Sequence, residues 1–354
     1  MASDSDHLAP LRFGYVVVST DPRDAVQQGI LAEKSKFDIV WIPDHFTDVD
    51  GDRLEPWTIL SAIATQTRKI RLGSAVTDTQ RSHPARTAHS VASVDTISRG
   101  RAILGIGAGE AMNIVPFGLP WDTASCRISR LEEAIQVIQL LWSSSREEPA
   151  NFSGKHFKLL NAFLTQSSVQ KPHPPIYVGA FSSKKALQVV GRRGDGWYAW
   201  LNTPELFKER WAIICDAAKS IGRSPKLIEP TSHLMMALPR NSTERKEAVM
   251  AAKTVLLLEK STLARFGYHS EIKQYQNLGV LPQDIAWIRR TAAEVPDEVV
   301  RKAMAIGIDE IKNQIRELAK SGVRNFAIVD LLAPRTAKRD LKRLSRIISD
   351  YRQM

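Results

Sequence analysis

"ILGIGAGEAMNIVPFG" (Ile103–Gly118) decides the fold. An apolar run enters glycines at 105, 107 and 109 and then meets an acid, Glu110. Glycines at alternate positions bring backbone close to a neighbour or a ligand. A dinucleotide fingerprint needs Gly-x-Gly-x-x-Gly at a strand-to-helix turn, with an acid about 20 residues on. Gly105 and Gly107 fit, but Glu110 stands where the third glycine belongs. The later stretch "DTASCRISRLEE" opens another helix and supplies no such acid. The Rossmann reading therefore fails, and the stretch must end a strand in some other α/β architecture.

Working outward, apolar runs of strand length alternate with helical segments along the whole chain. The strand readings are Leu11–Val18, Phe37–Ile42, Lys69–Thr77, Arg101–Gly107, "PPIYVGA", "GDGWYAW", "IEPTSHLMMAL" and Arg324–Leu332. Helices are read between them, among them Arg127–Trp142, where Leu131, Ala134, Ile135, Ile138 and Leu141 recur at helical spacing. Eight strand–helix pairs imply a parallel sheet with right-handed crossovers, closed as a (β/α)8 TIM barrel. The 354 residues exceed the roughly 250 of a typical barrel, so insertions are expected at about 143–171 and 256–319. No composition break divides the chain, and residues 1–354 read as a single domain.

Composition narrows the function classes. Hydrophobic residues make up 43% and charged residues 25%, ordinary for a globular protein. No apolar run is long enough to span a membrane, and the first residues lack the pattern of a secretory signal. Two cysteines form neither a disulfide framework nor a metal-ligand spacing, which points to the cytoplasm. The net charge of +11 is spread out, densest in "RTAKRDLKRLSRIISDYRQM". No aromatic-interleaved basic motif accompanies it, so no nucleic-acid partner is expected. Walker A, His-Glu-x-x-His and Gly-x-Ser-x-Gly motifs are missing, and no metal site is expected.

A barrel's active site lies at the C-terminal ends of its strands. After strand two come Asp44, His45 and Phe46, and a histidine there suits proton transfer near neutral pH. After strand three come Ser74, Ala75 and Thr77, small enough for a flat ligand to approach. After strand four come Gly107, Ala108, Gly109, Glu110 and Asn113. After strand five, Gly179, Ala180 and Phe181 precede "SSKK", where amides at a helix start suit an anion or an ordinary cap. Each of these signals alone also fits a plain structural role.

Together, "VWIPDHF" (Val40–Phe46), "GSAVTDTQRSHPA" (Gly73–Ala85), "GRAILGIGAGEAMNIVPFG" (Gly100–Gly118), "PPIYVGAFS" and "GRRGDGW" resemble the luciferase-like barrel superfamily, specifically its branch using coenzyme F420, a 5-deazaflavin. The resemblance implies a cytoplasmic, homodimeric oxidoreductase acting on a small molecule. It implies hydride transfer at the deazaflavin C5, with His45 as acid/base and Glu110 at the reduced ring. Asp44, Ser74, Ala75, Thr77, Gly107, Ala108, Gly109 and Asn113 would line the ring region. A non-prolyl cis peptide would fall at Ser74–Ala75. Gly179, Ala180 and Phe181 would hold the phosphodiester.

An alcohol/ketone pair is the expected substrate. The sugar-6-phosphate dehydrogenases of this branch have a basic residue after the "GDG" strand; here Trp197, Tyr198 and Trp200 occupy the region, as pocket lining or as core. The methylenetetrahydromethanopterin reductases, the nearest alternative, have a glutamate in strand one where this chain has Val16. An FMN-dependent monooxygenase and a ligand-binding barrel without turnover are the readings outside the branch.

Overall fold

Apolar residues on both faces of a strand require cover on both sides, and a closed barrel ringed by helices supplies it. The computed structural model describes residues 10–48, 51–52, 54–258, 263–264 and 285–352. Its barrel strands are β1 (Arg12–Val16), β2 (Ile39–Ile42), β3 (Arg71–Ser74), β4 (Ala102–Gly107), β5 (Ile176–Gly179), β6 (Gly196–Ala199), β7 (Glu229–Ala237) and β8 (Asn325–Asp330). All pair in parallel with their sequence neighbours, and β8 closes on β1. The eight expected strands are thus present, each trimmed by a residue or more at its ends.

The covering helices start where the chemistry allows a cap followed by proline. Asp21, Glu55, His83 and Thr203 accept from amides of the first turn, and each precedes a proline at the first helical position. Outward side chains such as Leu72, Leu104 and Val178 join the main core beneath these helices.

Inside the barrel a second cluster gathers Val16, Ile39, Trp41, Ile103, Tyr177, Tyr198 and Ala327. Trp41 is its largest member and is fully buried. The side-chain-free faces of Gly14 and Gly73 make room for it: a Cβ on either would lie 2.4 Å and 2.2 Å from the indole. Tyr177 and Tyr198 close on Trp41 edge-on, at 5.6 and 4.8 Å between ring centres.

The first insertion carries the expected hairpin, Ala150–Ser153 against Lys158–Ala162. The second expected insertion contains several helices among its described residues. Ile308–Ser321 is an outer barrel helix between β7 and β8, burying Ile311, Ile315 and Leu318. What precedes it includes the helices Ser242–Leu258, Ile285–Ala293 and Asp297–Ala303, and a two-residue strand, Ala305–Ile306, beside β7. Most of 259–284 in that expected insertion lies outside the described residues. The helices form their own apolar cluster, which meets Phe181, Trp200 and Met235 at the barrel mouth. Among the described residues no helix is long and apolar enough to cross a membrane.

Asp330, the last residue of β8, is buried; it accepts from the Leu332 amide and the Thr336 hydroxyl, each at 3.0 Å. Burial, joined by the charge of nearby Asp340, pushes its carboxyl up to about 6 from the ordinary 3.8. Because the folded value is the higher one, this group's stabilising contribution is complete below about pH 4. It is lost as pH rises through about 6. Asp330→Asn is therefore expected to stabilise the protein at pH 8 by roughly 1–3 kcal/mol, with the gain fading by pH 4. Denaturant unfolding at both pH values checks this; an equal effect at both would contradict it.

Candidate active site

The residues after β2, β3 and β4 meet at one side of the barrel mouth. The centre of that meeting is a buried ion cluster. Arg81 Nη2 donates to Asp44 Oδ1 and to the Asp44 carbonyl oxygen, both at 2.7 Å, while Arg81 Nε pairs with Asp78 Oδ2. All three side chains are largely shielded from solvent. Burial pushes the Asp44 carboxyl up, against the opposing pull of Arg81 and of the Thr77 hydroxyl. The Arg81 guanidinium also lies 4.6 Å from the centre of the Phe46 ring. This cluster fixes the backbone on both sides of His45.

Asn113 provides the second clamp. It is buried, and its Oδ1 accepts from the amides of Phe46 at 2.7 Å and Thr47 at 3.1 Å. Its side-chain oxygen is thus turned to the loop after β2 and away from the mouth. Between the clamps, His45 Nε2 reaches to 3.7 Å from Glu110 Oε2. The imidazole is 18% exposed and the carboxylate 58%, so the pair bridges the inner wall and the solvent side of the mouth.

The wall between β3 and β5 is built differently from the sequence expectation. The non-prolyl cis bond is Ala75–Val76, one residue later than Ser74–Ala75. Ser74 still belongs to β3, in register with Ile42. Its buried hydroxyl is spent on the Gly105 carbonyl at 2.8 Å, so it tethers β3 to β4 and presents nothing to the mouth. Beyond it, Thr77–Asp78 rejoins β4. The bareness of Gly107 and Gly179 serves Val76: a Cβ on either would come within 2.8 and 2.9 Å of Val76 Cγ2. Gly109 has φ +84°, a left-handed conformation, and packs near Gln80 and Asp78. Asp44, His45, Ala75, Thr77, Gly107, Ala108, Gly109 and Glu110 thus converge. Gly179 adjoins them through Val76.

Ala180 and Phe181 lead from β5 to the helix Lys184–Arg193, which Ser183 caps. The Ala180 carbonyl accepts from the Trp197 indole at 2.8 Å, and the Phe181 ring lies 4.7 Å from the Arg210 guanidinium carbon. The three aromatics of the "GDG" strand separate. Trp197 is outer core, stacked on Phe207 and Trp211. Tyr198 is barrel interior, and Trp200 is half-buried at the mouth.

The sequence reading missed Arg81, Asp78 and Val76. All three lie inside the quoted stretch "GSAVTDTQRSHPA", and an arginine three residues after an aspartate was the available signal.

A family model described as luciferase-like monooxygenase matches residues 6–325. The chain is 31% identical over 304 residues to an F420-dependent glucose-6-phosphate dehydrogenase of Microbacterium testaceum, covering 83% of this chain and 87% of that one. It is 30% identical over 291 residues to the phthiodiolone/phenolphthiodiolone dimycocerosates ketoreductase of Mycobacterium tuberculosis, covering 78% and 74%. Among solved structures, a coenzyme F420-dependent tetrahydromethanopterin reductase from Methanopyrus kandleri superposes with a TM-score of 0.82 at 24% identity, covering 97% and 99%. An F420-dependent secondary alcohol dehydrogenase bound to an F420–acetone adduct gives 0.78 at 22% identity, covering 96% and 99%. With its family model spanning nearly the whole barrel, the chain belongs to the luciferase-like monooxygenase family.

Proposed function

We propose that this protein is a coenzyme F420-dependent oxidoreductase that moves a hydride between the deazaflavin and an organic alcohol/ketone pair. The observation that carries this reading is the His45–Glu110 pair, 3.7 Å apart at the mouth, beside a wall where Gly107 and Gly179 have no Cβ and Val76 packs against both. Such a wall fits one face of a planar ring. When bound, the deazaflavin supplies the two-electron chemistry, and the protein supplies placement and proton handling.

Ala75, Val76, Asp44, Thr77, Gly107, Ala108 and Gly109 would hold the ring and the start of its side chain. Gly179, Ala180 and Phe181 would hold the phosphodiester. Asn113 would act by fixing the loop that carries His45, and Ser74 through its tether to β4. Glu110 would stabilise the reduced form. His45 takes the hydroxyl proton as an alcohol is oxidised and returns one to the oxygen when a ketone is reduced.

Val16, inward-facing and apolar where a pterin reductase of the branch has glutamate, supports the alcohol/ketone assignment. The chain works as one domain, and the family likeness supports a homodimer acting on a small molecule. Two free cysteines fit a reducing cytoplasm.

Titration of the purified protein with F420 and with FMN, followed by fluorescence quenching, tests the cofactor assignment. Saturable quenching of F420 with tight binding is expected, with FMN bound at least 100-fold more weakly. FMN binding without F420 binding overturns the proposal.

A further inference from the structure

The ring contacts that begin at Trp41 end on a group the mechanism above does not use. Along β7, Leu234 and Met236 face the outer core, so alternation turns Thr231, His233 and Met235 inward. The register sets His233 beside Ala327 of β8, and one step past the Ala199–Ser232 pair it sets His233 beside Trp200. The imidazole lies edge-on to Tyr198, 4.7 Å between ring centres, and 4.6 Å from the Trp200 ring.

His233 is only 6% exposed. Among the described residues, neither of its ring nitrogens has a hydrogen-bond partner, and neither does the Tyr198 hydroxyl or the Trp200 indole N–H. Buried polar atoms are nearly always paired. Four unpaired ones gathered where the barrel interior opens into its mouth mark a place built to receive a partner from outside the chain. Its chemistry can be read from its electrostatics. Burial alone holds the imidazole down to about 3, with no charged neighbour contributing. The ring is therefore neutral, with one donor and one acceptor, and it is joined by two further donors. Among the described residues no cation shifts this imidazole, so an anionic group placed here would be desolvated without one from them to meet it.

We infer that His233, the Tyr198 hydroxyl and the Trp200 indole N–H form a neutral polar subsite that hydrogen-bonds an uncharged oxygen of the substrate, so the enzyme takes neutral hydroxy or keto compounds and rejects phosphate esters. The inference rests on the oxidoreductase reading and deepens it by naming the substrate class and a specificity-determining histidine.

The test compares full-length wild type, His233→Phe and Trp200→Phe, each loaded with F420, using 4-hydroxycyclohexanone as the neutral probe, whose hydroxyl supplies an oxygen besides the reacting carbonyl, and glucose 6-phosphate as the charged one. Saturation-transfer NMR reads ketone binding directly, and steady-state turnover reads KM and kcat. Wild type is expected to bind 4-hydroxycyclohexanone and to ignore millimolar glucose 6-phosphate. His233→Phe should weaken ketone binding and raise KM at least tenfold, with kcat and F420 affinity within about twofold. Trp200→Phe should weaken the ketone three- to tenfold. It carries the test by itself if His233→Phe melts early.

Three results overturn the inference: no 4-hydroxycyclohexanone binding by wild type, binding of glucose 6-phosphate as tight as that of the ketone, or ketone binding within twofold of wild type in the folded variants. The last would leave the four atoms to ordered water. Failure of F420 to bind overturns the cofactor reading instead, and is seen in its own titration.

Discussion

His45→Ala is expected to lower turnover by about 10²–10⁴-fold, the usual contribution of a positioned acid/base, while leaving F420 affinity within about threefold. The separation of the two effects follows from how the loop is held. Arg81 binds the Asp44 carbonyl oxygen, and Asn113 binds the amides of Phe46 and Thr47. The backbone around residue 45 is therefore fixed by groups other than the imidazole. Removing the imidazole takes away the group facing Glu110 and leaves the wall of Val76, Gly107 and Gly179 as it was. Stopped-flow reduction of the bound deazaflavin, paired with fluorescence titration, reads both quantities. Turnover within fivefold of wild type would remove His45 from the chemistry, and a parallel loss of cofactor binding would recast it as a cofactor contact.

Arg81→Leu carries the largest structural effect. The guanidinium stands between two shielded carboxylates, Asp44 and Asp78, and also covers the Phe46 ring. Without it both acids remain buried with no cation between them, and breaking such a cluster costs about 3–5 kcal/mol. Asp78 keeps the amides of Gln80 and Arg81 as donors at 2.7 and 2.9 Å, so Asp44 bears the greater part. Its carboxyl is already raised by burial, with Arg81 the strongest opposing influence; in the variant it rises further.

A raised folded value means stability is retained at low pH and lost as pH climbs through it. The deficit of Arg81→Leu should therefore be largest at pH 8 and partly recovered at pH 5. Denaturant unfolding at the two pH values measures it, and F420 affinity should fall with it because the backbone on both sides of His45 loosens. A cost below 1 kcal/mol at pH 8 would show that the cluster does not organise the site.

The barrel was legible because its signal is periodic and local. Apolar runs of strand length ending in polar turns recur eight times, and each observed strand lies within the corresponding run. The rim residues were legible for a related reason: in this architecture a residue just after a strand lands at the mouth wherever the strand itself goes. Asp44, His45, Thr77 and Glu110 needed no knowledge of their partners to be placed there.

What stayed hidden depends on pairs distant in sequence. Arg81 meets Asp44 across 37 positions, and Asn113 meets Phe46 across 67. Gly107 read as space for a ligand and Gly179 as an amide contact for a phosphodiester, and both leave room for Val76.

The stretch "GDGWYAW" draws the line most plainly. Sequence alone established a buried aromatic strand at this point of an eightfold α/β repeat. It could not say which aromatic faced which way, because a period of two has two phases and both are apolar here. Tertiary structure decided the phase: Trp197 went to the helix layer, Tyr198 to the barrel interior and Trp200 to the mouth. The same decision on β7 turned His233 inward against two of them. Elements follow from local periodicity; a site follows from which faces meet, and that is settled only when the barrel closes.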